Sequence, residues 1–326
     1  MSAPRTLLGI DLGGTKVHLR LQGPEGILLD RRLPTAGYPD LASLVAGTLE
    51  NHAPGAIAVG VAGPVRGRTA HVTNVGWTIE ADALSEAAGG AKVVLANDMA
   101  IVAHGLAALV PGETTVLQEG GREPGGPVLI VGVGTGMGTG LLVPGLDGAA
   151  DRYLAGEGGH ATWAPLGTED RELRDWLAAR HGHVSLERVV SGTGLATAAA
   201  WAAETGRPLE ATIREALAAG EGVAAAVVRA ASTGACATST SLLERFVTTL
   251  ASAIGNAALT TLPTGGIFLA GGVAQKLSGH LASNPQFLAT MQDKGRMRPL
   301  IADLHVAVVQ AEDVAVRGAL ALAARA

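Results

Sequence analysis

Few residues in this chain have both the type and the setting to do chemistry. Asn97-Asp98 stands at the carboxyl end of an apolar run, Lys92–Ala96, where open α/β sheets present groups to ligands. A carboxylate there can take the proton from an alcohol as the alcohol attacks a phosphoryl group. The same pair also suits a plain helix cap, and the two residues can divide the duties. Glycine turns are the second signal. Gly13-Gly14-Thr15 and Gly134-Thr135-Gly136-Met137-Gly138 each interrupt an apolar run, and Gly271-Gly272 ends a third. Such turns expose consecutive backbone N–H groups that cradle phosphate oxygens, although a single one serves a hairpin equally well. Their recurrence points to a nucleotide. Asp11 precedes the first turn. It either stabilises that turn or, beside phosphates, calls for a hard cation, which suggests Mg²⁺ held through water. The Thr15 hydroxyl can donate to a phosphate oxygen or close the turn.

A third group is Glu157-Gly158-Gly159-His160, followed by His181-Gly182-His183 and Glu187. Vicinal hydroxyls need carboxylates and a histidine rather than cations, so polyol recognition suits Glu157, His160 and Glu187. A metal site from His160, His181, His183 and Glu187 is weaker, since no H-E-x-x-H or cysteine partner supports it. For His181 and His183 a solvated or core place is the default. Other phosphate and hydrolase signatures are missing. The chain has no Gly-Lys dipeptide, no G-x-G-x-x-G leading into a helix and no G-x-S-x-G, so any phosphates sit on strand–turn–strand loops.

The elements that must carry these residues follow from periodicity. Leu7–Leu12, the glycine turn and Val17–Leu21 read as strand, turn, strand, and Val128–Val133 with Leu141–Val143 repeats the device about one domain length later. Ala56–Val61, Lys92–Ala96, Ile267–Ala270 and Leu304–Val309 read as further strands. The pattern of Met99, Val102, Leu106 and Leu109 predicts a helix that Pro111-Gly112 stops. From about 170 to 262 the spacing is mostly helical, and Val314–Ala324 reads as a closing helix.

Composition bounds the rest. With 326 residues the chain makes about two domains. It holds 46 glycines and only 3% aromatics, so backbones approach each other or a ligand closely. A net charge of −5 gives no electrostatic reason to expect nucleic acid or an anionic membrane as partner. The single cysteine, Cys236, excludes an internal disulfide framework and any multi-cysteine zinc site. Apolar runs are broken by charges, Pro or Gly well short of a membrane span, and Met1–Arg5 leads into a strand pattern without the apolar region of a signal peptide. The expectation is a soluble, cytoplasmic α/β protein.

Taken together and in order, Gly9-Ile10-Asp11-Leu12-Gly13-Gly14-Thr15, Ala96-Asn97-Asp98, Gly134-Thr135-Gly136-Met137-Gly138, Gly156-Glu157-Gly158-Gly159-His160, the stretch from Gly182 to Gly192, Ala270-Gly271-Gly272 and Asp293-Lys294-Gly295-Arg296-Met297 resemble the bacterial glucokinase family of the sugar-kinase/actin superfamily. The likeness runs from about residue 7 to the C-terminus. It implies two actin-like (ribonuclease H-like) α/β domains, with mixed sheets flanked by helices and an active-site cleft between them. The expected division is 1–110 with 304–326 as a small domain and 111–303 as a large one. It implies transfer of phosphate from ATP to the 6-hydroxyl of glucose. Asp98 would be the base, and Asn97, Asp98, Glu157, His160 and Glu187 would hold the sugar. Gly13, Gly14, Thr15, Gly134, Thr135, Gly136, Gly271 and Gly272 would hold ATP, with Mg²⁺ near Asp11. A homodimer is the common assembly. Lys16, where many members have Asn, is similar to the ROK kinases, but one cysteine cannot supply their zinc motif. Ala155 and Ala161-Thr162-Trp163 depart from the usual residues around the sugar loop. A kinase for another hexose or an amino sugar, such as mannose or glucosamine, is the alternative on the same scaffold. A sugar-binding regulator would need a DNA-binding segment, for which the first strand at Leu7 leaves no room.

Overall fold

The computed structural model describes residues 5–49, 52–72, 75–145, 149–234 and 236–326. The reading of the extreme N-terminus falls on residues 1–4 and lies outside them. The chain forms two compact units, Met1–Glu113 with Ala311–Ala326, and Thr114–Gln310.

The first unit begins with β1 (Leu7–Leu12), β2 (Lys16–Gly23), β3 (Gly26–Pro34), α1 (Leu41–Leu49) and β4 (Ala56–Val61). A small sheet follows from β5 (Val65–Arg66), β6 (Thr69–Val72) and β7 (Trp77–Glu80), then α2 (Ala81–Ala87), β8 (Lys92–Asn97) and α3 (Asp98–Gly105). The second unit runs through β9 (Thr114–Gln118), β10 (Val128–Val133), β11 (Met137–Val143), β12 (Arg152–Gly156), α4 (Thr168–His181), α5 (Gly192–Glu204), α6 (Ala211–Ala219), α7 (Val223–Thr233) and α8 (Ala237–Thr261). It closes with β13 (Gly266–Ala270), α9 (Gly272–Ser283), α10 (Pro285–Gln292), α11 (Arg298–Ala302) and β14 (Val306–Val309), and α12 (Val314–Ala323) ends the chain in the first unit.

The main sheet of the first unit has the order β3-β2-β1-β4-β8, and that of the second has β12-β11-β10-β13-β14-β9. In each, an antiparallel meander is followed by two strands parallel to the first, β4 and β8 in one case, β13 and β14 in the other. Two units with this shared order are the actin-like, ribonuclease H-like architecture. The strand near residue 306 was expected with the small domain. It pairs instead with β13 and β9, because its four residues are all buried and need neighbours on both edges. No helix among the described residues is long and apolar enough to cross a membrane.

Residue size sorts the two faces of the first sheet. Leu8, Ile10, Leu12, Ile57, Val59 and Val61 join the core built with α1 and α2. Ala56 and Ala58 face Ile101 of α3 and Ala319 and Ala323 of α12. Gly9 shares that face: a Cβ on it would lie 2.7 Å from the Val316 carbonyl oxygen. Small residues let the two helices lie close to the sheet and to each other. A Cβ on Gly318 would collide with the Ile101 carbonyl, and one on Gly105 with the Val314 carbonyl. Since α3 begins at Asp98, this packing fixes where that carboxylate stands.

Gly318→Ala must part α12 from α3. We expect a loss of about 1–3 kcal/mol, the usual cost of overpacking, read from urea denaturation. Unchanged stability would mean that the helices do not meet as described.

Candidate active site

The first unit gathers one group of residues at the carboxyl ends of its parallel strands. Register carries them there: Leu12 pairs with Val61 and Val61 with Asn97, so β1 and β8 end level, with β4 between them. Asp11 lies one residue inside the end of β1 and Asp98 one residue beyond the end of β8. The helix cap falls to Asn97, whose Oδ1 accepts from the Met99 N–H at 2.9 Å, and Asp98 Oδ1 accepts from the same N–H at 2.8 Å.

Asp11 has its carboxyl pushed up to about 6, first by burial and then by the nearby Asp98 charge, with Arg32 pulling the other way. The glycine turn closes through Gly13 N–H donating to the Lys16 carbonyl at 3.0 Å, and Thr35 N–H donates to the Thr15 carbonyl at 3.0 Å. Turn, Asp11, Lys16 and Arg32 line a pocket of about 220 Å³. Arg32 comes from β3 and is held by Glu312 at 2.9 Å. The sequence reading missed it, since one arginine on an exposed strand carries no local signal.

The second unit gathers two further groups. Around Gly134, three segments meet: Gly192 N–H donates to the Gly134 carbonyl at 2.8 Å, Thr193 Oγ1 donates to the Thr135 carbonyl at 3.0 Å, and a Cβ on Gly271 would lie 2.6 Å from the Val133 carbonyl oxygen. The amino ends of α5 and α9 therefore adjoin the turn, and the positive ends of helices favour anions. Gly134 and Gly136 have ordinary negative-φ backbones, so φ is not the reason for glycine. At Gly134 and Gly272 a Cβ would meet no protein atom within 4 Å. Nothing in the protein requires glycine there, and the open space suits a ligand approaching the backbone. Gly192 and Thr193 also escaped the sequence reading of the site. The run Ser191-Gly192-Thr193-Gly194 was its only trace, and Ser191 proves to be the cap of α5, accepting from Gly194 N–H at 2.8 Å.

Glu187 binds this turn to the third group. Its Oε2 accepts from the Met137 N–H at 2.9 Å, and a Cβ on Gly136 would run into the same carboxylate. The short helical turn Leu186–Arg188 that carries it is tied to the loop at 157–163: Leu186 N–H donates to the Ala161 carbonyl and Trp163 N–H to the Val184 carbonyl, both at 2.9 Å. On that loop Glu157 and His160 are exposed, 3.9 Å apart. His183 is exposed, in keeping with a solvated place, and donates from Nε2 to the His160 carbonyl at 3.0 Å. His181, at the end of α4, is exposed.

The family model for glucokinase matches residues 7–326. The chain belongs to the glucokinase family. It is 33% identical to the glucokinase of Nostoc sp. strain PCC 7120 over 343 aligned positions, which cover 98% of this chain and 99% of that protein. Among solved structures, a glucokinase from an Antarctic psychrotroph superposes with a TM-score of 0.84 at 26% identity, covering 98% and 99% of the two chains. A ROK family glucokinase from Streptomyces griseus in complex with glucose and AMPPNP shares the fold, with a TM-score of 0.67 at 22% identity, over 98% of this chain and all of that one. In this glucokinase-family chain the glycine turns, the Asn97-Asp98 pair and the Glu157–His160 loop thus lie on a scaffold shared along the whole length.

The raised Asp11 carboxyl makes a pH-dependent prediction. A folded-state value near 6 against an ordinary 3.8 means that the folded chain holds the proton more tightly. Stability therefore falls as pH rises from about 4 through 6 and is level above. Asp11→Asn removes that fall. Without nucleotide or divalent cation, its melting temperature should match the wild type near pH 4 and exceed it at pH 7, by on the order of 2 kcal/mol in stability. An equal difference at both pH values would refute the assignment.

Proposed function

We propose that the chain is a glucokinase that transfers the γ-phosphoryl group of ATP to the 6-hydroxyl of D-glucose, giving glucose 6-phosphate and ADP. The observation that carries the mechanism is Asp98 at the start of α3, level with Asp11 on the same sheet edge. Asp98 orients the 6-hydroxyl and takes its proton as the oxygen attacks phosphorus. Asn97 spends its carbonyl oxygen on the helix cap, which leaves its amide to donate to a sugar oxygen. Glu157, His160 and Glu187 hold the remaining hydroxyls.

The turns at Gly13–Thr15 and Gly134–Gly136 hold phosphates, with Gly271 and Gly272 beside the nucleoside. The glucose and AMPPNP bound by the Streptomyces griseus relative support this pair of substrates. The residues at Asp11 fit a magnesium ion. Asp11 is a recessed carboxylate whose charge is disfavoured by burial and by Asp98, and among the described residues no three carboxylate, histidine or cysteine side chains cluster as a full ligand set. Mg²⁺ characteristically takes one or two carboxylates and completes its shell with water and substrate phosphates. When bound, the ion supplies charge neutralisation at the transferring phosphoryl group. Lys16 and Arg32, both lining the same pocket, add fixed positive charge on that side. A cytoplasmic homodimer completes this reading.

The deciding assay is ADP release with ATP and Mg²⁺ over glucose, mannose, fructose, glucosamine, N-acetylglucosamine and a blank. Strong preference for glucose is expected; preference for another sugar would move the assignment to that sugar. Asp98→Asn keeps an oxygen for the Met99 N–H and so preserves the helix start. It should lower kcat by about 10²–10⁴-fold with glucose binding nearly retained, and full activity would sink the base assignment. Glu187→Ala cuts the bond to the phosphate turn as well as a sugar ligand, so KM should rise for both glucose and ATP. A rise for glucose alone would separate the two duties.

A further inference from the structure

The loop that carries Glu157 and His160 starts from a side chain of β11. Main-chain pairing between β11 and β12 runs from Val143 opposite Arg152 to Thr139 opposite Gly156, where β12 ends. Beyond that point a hydroxyl takes over: Thr139 Oγ1 accepts from the Gly158 N–H at 3.0 Å. One residue thus holds both flanks of Glu157, Gly156 by strand pairing and Gly158 by its side chain. The close approach leaves no room for side chains on the loop. A Cβ on Gly158 would lie 2.6 Å from the Thr139 hydroxyl oxygen, and one on Gly159 would collide with the Met137 carbonyl oxygen.

Glu157 and His160 take their places from this backbone. Their side chains are 89% and 64% exposed, so packing does little to fix them. Main-chain bonds tie the two together. His160 N–H donates to the Glu157 carbonyl at 2.9 Å and Ala161 N–H to the Gly158 carbonyl at 3.2 Å, so a displacement at Gly158 is carried to both. The far end of the loop is fastened separately, where Ala161 and Trp163 bond to Leu186 and Val184. Groups that must match the spacing of a substrate's hydroxyls need such support from behind.

We propose that Thr139 is a positioning residue for the sugar: its hydroxyl oxygen fixes the start of the loop, and through it the setting of Glu157 and His160. Its effect on glucose rests on the function proposed above; the anchoring of the loop does not. The Glu187 carboxylate grips the phosphate turn through the Met137 N–H, whereas the Thr139 hydroxyl grips only the loop. Loss of that hydroxyl therefore weakens glucose and leaves ATP alone. A plain strand-forming role for Thr139 forecasts the reverse order of variants. Valine keeps the β-branch that favours strands but has no acceptor, and serine keeps the acceptor but has no branch.

Thr139→Val and Thr139→Ser in the full chain separate the two roles. Thr139→Val leaves the Gly158 N–H without its acceptor, and its glucose KM should rise about three- to tenfold, the worth of one hydrogen bond, with kcat and the ATP KM within about twofold of wild type. Thr139→Ser should return the glucose KM to within about twofold of wild type. Partial unfolding would remove working molecules and lower kcat but leave KM unmoved, so the KM readout survives a loss of stability. Hydrogen exchange at the Gly158 amide, followed by NMR on the labelled full chain, reads the anchor directly. It should quicken on the order of tenfold in Thr139→Val and stay near wild type in Thr139→Ser. In an active chain, a glucose KM unmoved by Thr139→Val, equal rises for glucose and ATP, or a serine variant as impaired as the valine one overturns the proposal. Unaltered exchange in Thr139→Val overturns it too. A wild-type chain that phosphorylates no glucose refutes the proposed function and the sugar role of Thr139 with it, and the exchange result then decides the anchor alone.

Discussion

Two carboxylates near one another at the end of a single sheet repel, and much of the first unit holds them there. Burial and the Asp98 charge both disfavour ionised Asp11, so the sheet edge is a place where folding is worked against. The opposing work is done by packing. Large residues of β1 and β4 fill one face, while glycine and alanine on the other let α3 and α12 settle onto the strands. Gly60 shows the economy of this face: a Cβ there would strike the Ile101 side chain. Because α3 starts at Asp98, close packing far from the edge sets the position of the carboxylate at it. Sites that bring like charges together commonly draw on stability made elsewhere.

In the second unit the corresponding constraint is a grip. Glu187 on Met137, Gly192 on Gly134 and Thr193 on Thr135 fasten one segment to one turn. The segment bears a proposed sugar ligand and the turn is a proposed phosphate cradle, so a shift in either is felt by the other. The Glu187 carboxylate is central, because one of its oxygens is committed to the turn, leaving the other for a hydroxyl. That arrangement offers a short physical path by which an occupied sugar site readies the nucleotide site within one unit.

How much of this was legible in the sequence depended on burial. β1, β4, β8, β10 and β13 announce themselves as apolar runs ended by glycine or by Asn97, β2 shows itself by alternation, and the positions of Asp11, Asn97 and Asp98 follow from where the apolar runs stop. β3 and β12 leave no such trace, since both lie at sheet edges and most of their residues are exposed; β5, only two residues long, is equally silent. The turn glycines were legible as turns and as places of close approach. Positive φ is absent at Gly13, Gly14, Gly134 and Gly136, and what matters is space, occupied by the Glu187 carboxylate at Gly136 and open at Gly134. Contacts between distant segments, such as Thr193 with Thr135, 58 residues apart, leave no mark in the sequence that pairs one segment with the other.

A chain of ion pairs shows why Arg32 was the hardest site neighbour to foresee. Across β2 and β3, Asp30 accepts from Arg20 at 2.6 Å and pairs with His18 at 2.7 Å. Burial raises the Asp30 carboxyl, but these hydrogen bonds outweigh it and hold the group below its ordinary range. Arg20 also meets Asp313 at 2.9 Å, and Arg317 joins Asp313 to Glu113 at 2.7 and 2.8 Å. Glu312, next to Asp313, holds Arg32. Exposed pairs taken singly contribute little, yet this series connects both points where the chain passes between its units, near residues 113 and 311, to the hairpin that carries the first glycine turn. Arg32 is thereby positioned by residues about 280 places away in the sequence. Its nearness to Asp11 is a product of the fold, as the nearness of Asp11 to Asp98 is, and in neither case does a motif record it.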